Sequence, residues 1–205
     1  MPFNHNHRYH PLLLRLVPPG TERALDVGCG AGGFARKLAA RGIDVDAVDV
    51  AGEMVRLASG FGSPGPGRVD VRRADVADEE LPANTYGFIS CIASLHHMPF
   101  GTVAKLRDAL RPGGVLAVLG LARPSTPADY AVELASAPVN VAARLVVAAG
   151  EWLNGGVEPA PQAPVNMTFP TMARLRRDSR DLLPGSTIRR LPFWRHLLTY
   201  RKPLA

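Results

Sequence analysis

Residues 24–36 read Ala-Leu-Asp-Val-Gly-Cys-Gly-Ala-Gly-Gly-Phe-Ala-Arg, and this stretch is the most informative part of the chain. An apolar run ends in closely spaced glycines and passes directly into helix-forming residues, which predicts a strand, a tight turn and a helix start. Glycine is needed where the backbone takes a positive φ or approaches a ligand more closely than a Cβ allows. The first helical turn also has free backbone N–H groups near the same place. We therefore expect a small ligand over this turn.

Two classes of ligand fit the glycines. Gly28, Gly30 and Gly33 match the G-x-G-x-x-G pattern of dinucleotide-binding proteins, in which a pyrophosphate lies at the helix N-terminus. Asp26 favours another ligand, because its carboxylate would repel a pyrophosphate but attract an ammonium group. S-adenosylmethionine has a nucleoside at one end, an amino acid at the other and a cationic centre between them. The residues favour this cofactor and leave a nicotinamide dinucleotide as the alternative.

Three motifs carry a resemblance to a known family. Asp26, Gly28, Gly30 and Gly32 resemble the first motif of the class I S-adenosylmethionine-dependent methyltransferases. The sequence Leu-His-His at 95–97, and Leu-Arg-Pro-Gly-Gly at 110–114 before an apolar run, resemble the methyltransferase type 11 (ubiquinone-biosynthesis-like) group. That group usually begins its fourth strand with Phe-Asp, whereas this chain has Tyr-Gly at 86–87. The motif matches extend over residues 25–119.

The resemblance implies an α/β fold, a Rossmann-like three-layer αβα sandwich. Its sheet would be mostly parallel and seven-stranded, with one antiparallel strand near the C-terminus. The expected strands are 24–27, 45–49, 69–73, 88–91 and 115–119, with 187–191 and 196–200 as a terminal hairpin, and the expected helices include 11–17, 33–41, 52–58, 78–81, 100–110 and 171–183. We expect a single methyltransferase domain over residues 1–205, with an N-terminal arm and helix in 1–20 and a variable acceptor-site or lid insertion in 121–170.

The candidate cofactor residues come from several predicted strand ends, which meet at one edge of such a sheet. Asp49 lies about twenty positions past the glycine turn, where an acidic residue accepts hydrogen bonds from ribose hydroxyls. The resemblance implies that Asp75 receives the adenine amino group and that the next backbone N–H meets the ring. Met54 is expected either under the adenine or in the core. The full expected set is Tyr9, Asp26, Gly28, Cys29, Gly30, Asp49, Val50, Met54, Asp75, Val76, Cys91 and Ile92.

Methyl transfer from a sulfonium needs chiefly positioning, so catalysis could proceed without a dedicated residue. If a general base exists, His97 is the first candidate and His96 the second, since a neutral imidazole can accept a hydroxyl proton. The alternative is that one histidine shapes the pocket and the other packs outward. No Asp-Pro-Pro-Tyr-like motif follows the fourth strand, which disfavours a nucleobase amine. We expect a small-molecule acceptor, a hydroxyl of a specialised metabolite.

The composition bounds the remaining possibilities. The formal charge of +6 and the arginine-rich stretch 174–202 leave an RNA methyltransferase as an alternative, although nucleic acid is not the expected partner. Two cysteines form no disulfide framework, and the N-terminus has no signal-peptide pattern, so we expect a cytoplasmic protein, monomeric or homodimeric. The apolar stretch 130–153 contains too many polar residues for a membrane span, and we expect two short helices there instead. His5, His7 and His10 lack the further ligands of a metal site, and none is expected.

Overall fold

The computed structural model describes residues 5–127, 129–131, 134 and 169–204. Seven strands form one sheet in the order β3-β2-β1-β4-β5-β7-β6. The strands are β1 Arg23–Val27, β2 Asp44–Asp49, β3 Val69–Arg73, β4 Tyr86–Ile92, β5 Leu110–Leu121, β6 Thr187–Leu191 and β7 Arg195–Arg201. The helices are α1 His5–Arg8, α2 His10–Leu14, α3 Gly33–Ala39, α4 Gly52–Gly60, α5 Thr102–Ala109 and α6 Met172–Leu182, with a 3-10 turn at Leu95–His97.

The sheet topology confirms the predicted architecture. Strand β1 pairs in parallel with both β2 and β4, and the parallel order continues to β3 on one side and β5 on the other. Strand β7 runs antiparallel to β5 and to β6, so it is the antiparallel strand expected near the C-terminus. The chain reverses its direction of travel across the sheet between β1 and β4. In open α/β sheets this switch point is where ligands bind.

Helices cover both faces of the sheet, which makes the three layers. One face packs α2 and α3 against the strands through Leu13, Phe34 and Leu38. The other packs α5 and the end of α6, with Leu106 and Leu183 in its core. Strands covered on both faces have nearly continuous apolar sequences. This explains why the central strands were readable from sequence with small errors in their ends.

Three local predictions were wrong. The predicted helix at 78–81 is a set of turns, because the ammonium group of Lys105 binds the carbonyl oxygens of Val76, Ala77 and Glu79 that a helix would need. The N-terminal arm is helical from residue 5. Strand β5 begins at Leu110, not at 115, because Leu110 pairs with Tyr86 across an irregular register.

The C-terminal elements follow the sequence prediction. Thr171 is the N-cap of α6, and its side chain accepts a hydrogen bond from the backbone N–H of Arg174. Most of the predicted insertion at 121–170, including the expected helices between 130 and 153, lies outside the described residues. No helix within the described ranges is long and apolar enough to cross a membrane.

Candidate cofactor and acceptor site

The glycine turn between β1 and α3 has two kinds of glycine. Gly28 and Gly30 both have positive φ, +69° and +52°. A Cβ on Gly28 would lie 2.3 Å from the Cβ of Ser94, so this glycine makes room for the turn that follows β4. A Cβ on Gly30 would meet no atom of the described residues within 4 Å. Gly30 therefore borders open space, and Gly28 serves the packing of the loop.

Asp49 joins the two loops at this edge. Its Oδ2 accepts a hydrogen bond from the backbone N–H of Gly30 at 2.8 Å, and its Oδ1 accepts one from Ala51 at 2.9 Å. The residue is 8% exposed. Each carboxylate oxygen has a second lone pair that can accept from a hydroxyl. Asp49 thus fixes the loop geometry and retains acceptor capacity for a ribose.

Asp26 does not stand at the open end of β1 but is 1% exposed, beneath the covering layer. Its Oδ1 accepts a hydrogen bond from the hydroxyl of Ser90 at 2.7 Å, while its buried Oδ2 has no partner. Burial raises the pKa of Asp26 to about 6, against the opposing effects of hydrogen bonds from Ser90 and from the backbone of Ala35. A buried carboxylate oxygen without a donor is costly. The site therefore has one strong acceptor whose hydrogen bonding by the described residues is incomplete.

The segment after β3 is held by a residue that the sequence analysis missed. Asp75 is exposed, and its Oδ1 accepts a hydrogen bond from the backbone N–H of Ala77 at 2.9 Å. Lys105 of α5 donates to the carbonyl oxygens of Val76 at 3.1 Å, Ala77 at 2.7 Å and Glu79 at 2.7 Å. Charged hydrogen bonds of this kind are stronger than neutral ones. No sequence motif marks this lysine, because it acts on backbone atoms distant along the chain.

The other candidate cofactor residues differ in how much they offer a ligand. Val50 is 55% exposed at the end of β2, while Met54 is 5% exposed in α4. Cys29 is partly buried in the glycine turn, and burial raises the pKa of its thiol. Cys91 is fully buried in the core on the α5 face, and Ile92 packs on the opposite face. A ligand at this edge could therefore meet Cys91 only through its backbone.

Tyr9, one of the expected cofactor residues, is 8% exposed and packs in the core between α2 and the sheet. Its hydroxyl donates a hydrogen bond to the carbonyl oxygen of Pro192 at 2.9 Å. A different N-terminal residue approaches the glycine turn. The Nε2 of His7 lies 3.6 Å from the position that a Cβ on Gly33 would occupy. The N-terminal segment does reach the start of α3, but through His7.

The two candidate catalytic histidines occupy different environments. His97 is exposed, whereas His96 is half-buried and lines a cavity of about 260 Å³. The His96 ring lies 5.2 Å from the ring of Phe169, centroid to centroid. Burial, with a contribution from His97, lowers the pKa of His96 to about 4. The cavity therefore makes His96 the better-placed of the two.

This cavity lies at the carboxyl ends of β4 and β5. The 3-10 turn, α6 and the start of β7 close it, and the sequence analysis did not anticipate the contribution of His196 from β7. Its position opposite β5 depends on the antiparallel register, which sequence does not reveal. The apolar part of the lining is formed by Leu95, Met98, Phe100, Val118, Phe169 and Leu175. Such a mainly apolar cavity with a few polar groups is typical of a small-molecule site.

The charged surface of α6 borders the cavity. Arg174 lines it and forms an ion pair with Asp178 at 3.4 Å, whereas Arg176, Arg177 and Arg180 are exposed. Within the part of the chain described by the structure, no group of three histidine, cysteine or acidic side chains is arranged to hold a metal ion.

The fold and the glycine turn define a class I S-adenosylmethionine-dependent methyltransferase. A family profile described as "Methyltransferase domain" matches residues 24–114. The chain is 35% identical to an uncharacterised methyltransferase of Mycobacterium tuberculosis over 206 residues, covering 99% of this chain and 98% of that protein. The chain therefore belongs to the methyltransferase family.

Two further similarities are more distant. A ubiquinone biosynthesis O-methyltransferase of Xanthomonas axonopodis is 35% identical over 126 residues, which cover 60% of this chain and 52% of that protein. A solved structure of a SAM-dependent methyltransferase from Methanosarcina mazei aligns over the full length of both chains, with a TM-score of 0.63 and 15% identity. The latter shows the same fold.

Proposed function

We propose that this methyltransferase transfers a methyl group to a hydroxyl of a small-molecule acceptor, a specialised metabolite. The observation that carries the proposal is the cavity at the ends of β4 and β5, which combines an apolar lining with the unpaired ring nitrogens of His96. The partial similarity to an O-methyltransferase of Xanthomonas supports the choice of oxygen. We infer that residues 1–205 work as one catalytic domain.

The residues at the other side of the switch point suit S-adenosylmethionine better than a dinucleotide. Gly30 leaves space over the turn, and the unpaired Oδ2 of Asp26 lacks a positively charged donor. Asp49 would receive the ribose hydroxyls, while Asp75 and the backbone of Val76 would hold the adenine. Because Oδ2 is buried, we expect the amino group to reach it through a bridging water or after a small shift of the turn.

The protein's contribution to the reaction is mainly to position and desolvate the acceptor. When bound, the cofactor supplies a methyl group already activated by a sulfonium. Positioning can contribute about 7–11 kcal/mol, whereas a general base adds typically 10²–10⁴-fold. An imidazole with a pKa of about 4, as at His96, is a weak base at neutral pH. His96 is therefore better suited to hydrogen-bonding the acceptor hydroxyl than to removing its proton fully.

The test combines cofactor binding with product analysis. Calorimetric titration with S-adenosylmethionine and its demethylated product should show binding, and labelled methyl transfer should be measured on a panel of hydroxylated ring compounds. Their methyl ethers are the matched controls, since they have the same skeleton without the reacting proton. Methyl transfer to amines with the same ring skeleton, but to none of the hydroxyl compounds, would contradict the proposal.

RNA methylation is the second candidate function, and the exposed arginines of α6 favour it. Binding through such residues would weaken steeply with salt, because each neutralised phosphate releases counterions. Replacing Arg176, Arg177 and Arg180 together by glutamine should abolish RNA binding if this function is correct. Small-molecule methylation would survive the same replacement, because none of the three lines the cavity.

A further inference from the structure

The imidazole of His196 is buried in the acceptor cavity without a partner. The residue is 3% exposed, and neither of its ring nitrogens has a hydrogen bond from the described residues. His96, across the same cavity, also has two ring nitrogens without partners. Buried polar groups are almost always hydrogen-bonded in native proteins. Because both imidazoles line one cavity, a single ligand in this cavity could supply the missing bonds to both.

Strand β5 makes room for His196 with a glycine. Gly120 is the cross-strand partner of His196. A Cβ on Gly120 would lie 2.4 Å from Cε1 and 2.8 Å from Nε2 of the imidazole. Glycine inside a strand weakens it and commonly marks the close approach of another group. The backbone of β5 therefore supports this ring directly, which fixes its place in the cavity.

Both imidazoles are neutral at physiological pH. Burial lowers the pKa of His196 to about 4, with further contributions from Arg190, Arg195 and His96. The other charged groups at the cavity, Arg174 and Asp178, form an ion pair with each other. A neutral imidazole has one N–H donor and one nitrogen acceptor. The pair can thus both donate to and accept from a hydroxyl without requiring a charged ligand.

The size and lining of the cavity limit the ligand. A cavity of about 150 Å³ accommodates benzene, and this one has a volume of about 260 Å³. Aromatic and aliphatic side chains, including Phe100, Phe169 and Leu175, form most of its wall. An acceptor of one or two rings fits this volume.

We propose that His196 is the specificity-determining residue of the acceptor site, binding together with His96 the hydroxyl group of a compact, uncharged acceptor of one or two rings. This inference rests on the proposed function. The hydroxyl donates to one imidazole nitrogen and accepts from the N–H of the other. His196 acts by positioning the acceptor, and Gly120 by positioning His196.

The test uses phenol and 2-naphthol as probes, and their methyl ethers as controls without a donor. Binding is titrated by NMR on the complex with S-adenosylhomocysteine. His196→Leu should weaken binding of the hydroxyl probes at least tenfold and that of the ethers much less, because the ethers can only accept a hydrogen bond. His196→Gln, which keeps a donor and an acceptor, should restore most of the affinity. Thr199→Val, on the same strand but outside the cavity, is the matched control and should behave as wild type.

A second measurement separates a binding role from a structural one. His196→Leu, which replaces the unpaired ring nitrogens by an apolar side chain, should raise the melting temperature of the free protein by about 2 °C or more. Gly120→Ala, which displaces the ring, should weaken probe binding even if His196→Leu fails to fold. The assignment would be overturned if the hydroxyl probes bound wild type and whichever of these variants folds with equal affinity. It would also be overturned if the probes showed no saturable binding to wild type. If wild type did not bind S-adenosylhomocysteine, this result would instead refute the proposed function.

Discussion

The hydrogen bonds of Lys105, which we call the Lys105 clamp, allow a test of what holds the candidate cofactor edge of the sheet in place. Its ammonium group donates to three backbone carbonyl oxygens in the segment after β3, at 2.7–3.1 Å. That segment contains Asp75 and Val76, the residues proposed to hold the adenine. Replacing Lys105 by methionine retains the aliphatic chain and removes all three bonds. The segment would then have to be ordered by the cofactor itself.

The expected size of the effect follows from the cost of that ordering. Fixing the backbone of one residue costs about 1–2 kcal/mol. If Lys105→Met releases one or two residues, affinity for S-adenosylhomocysteine should fall by about ten- to a hundredfold. Hydrogen bonds to charged groups contribute about 1.5–3 kcal/mol each. Because water can replace part of the clamp, we expect a loss of about 2–4 kcal/mol in the free energy of unfolding.

The assay combines calorimetry with hydrogen exchange of the backbone amides at 76–80. These amides should exchange faster in the free variant and recover protection when the ligand binds. Arg107→Met is the matched control, since Arg107 on the same helix donates to the carbonyl oxygen of Leu182 at 2.9 Å, away from the β3 segment. It should lower stability without changing cofactor affinity. A destabilised Lys105→Met variant with wild-type affinity for S-adenosylhomocysteine would show that the Lys105 hydrogen bonds do not order the segment for cofactor binding.

Two further predictions concern the acidic residues of the cofactor edge. The folded-state pKa of Asp26, about 6, lies above its ordinary value of 3.8, so its contribution to stability is present below pH 4 and is lost as the pH rises through 6. In denaturant titrations from pH 4 to 7, Asp26→Asn should lack this loss of about 3 kcal/mol, and equal pH profiles would contradict the buried, raised-pKa carboxylate. For Asp49→Asn, the effect of a disrupted loop can be separated from the loss of the ribose contact. The separation uses a 2′,3′-dideoxy analogue of S-adenosylhomocysteine, which lacks the ribose hydroxyls. Wild type should lose at least about tenfold in affinity for the analogue and the variant much less, whereas equal losses would remove the ribose assignment.

The sequence predicts the candidate cofactor edge because the features of that edge are local. Glycine at positive φ and an acidic residue at a strand end are both encoded within a few positions, as at Gly30 and Asp49. The burial of Asp26 was missed, because the covering layer extends over the end of β1, which the sequence of the strand does not show. Lys105 and His196 were missed for a related reason: one acts on backbone carbonyls 26–29 positions away, and the other depends on an antiparallel register between β5 and β7.

The two halves of the site meet at Ser94. Its hydroxyl donates to the carbonyl oxygen of Val27 at 2.6 Å, and it comes directly before the 3-10 turn that contains His96. A Cβ on Gly28 would collide with Ser94, while one on Gly30 would enter open space. Alanine at either position introduces strain at a positive φ, but only alanine at Gly28 would also displace Ser94 and the turn that contains His96. We therefore expect the glycine turn to couple the candidate cofactor and acceptor sites through Gly28 and Ser94.

This coupling predicts different effects of two similar substitutions. Gly30→Ala should weaken cofactor binding and leave binding of phenol to the acceptor cavity unchanged. Gly28→Ala should weaken both, because displacement of Ser94 moves the turn that holds His96. Titration of each variant with S-adenosylhomocysteine, and then of the saturated complex with phenol, measures the two effects separately. If Gly28→Ala folds and binds phenol as well as wild type does, the two sites are not joined through Ser94.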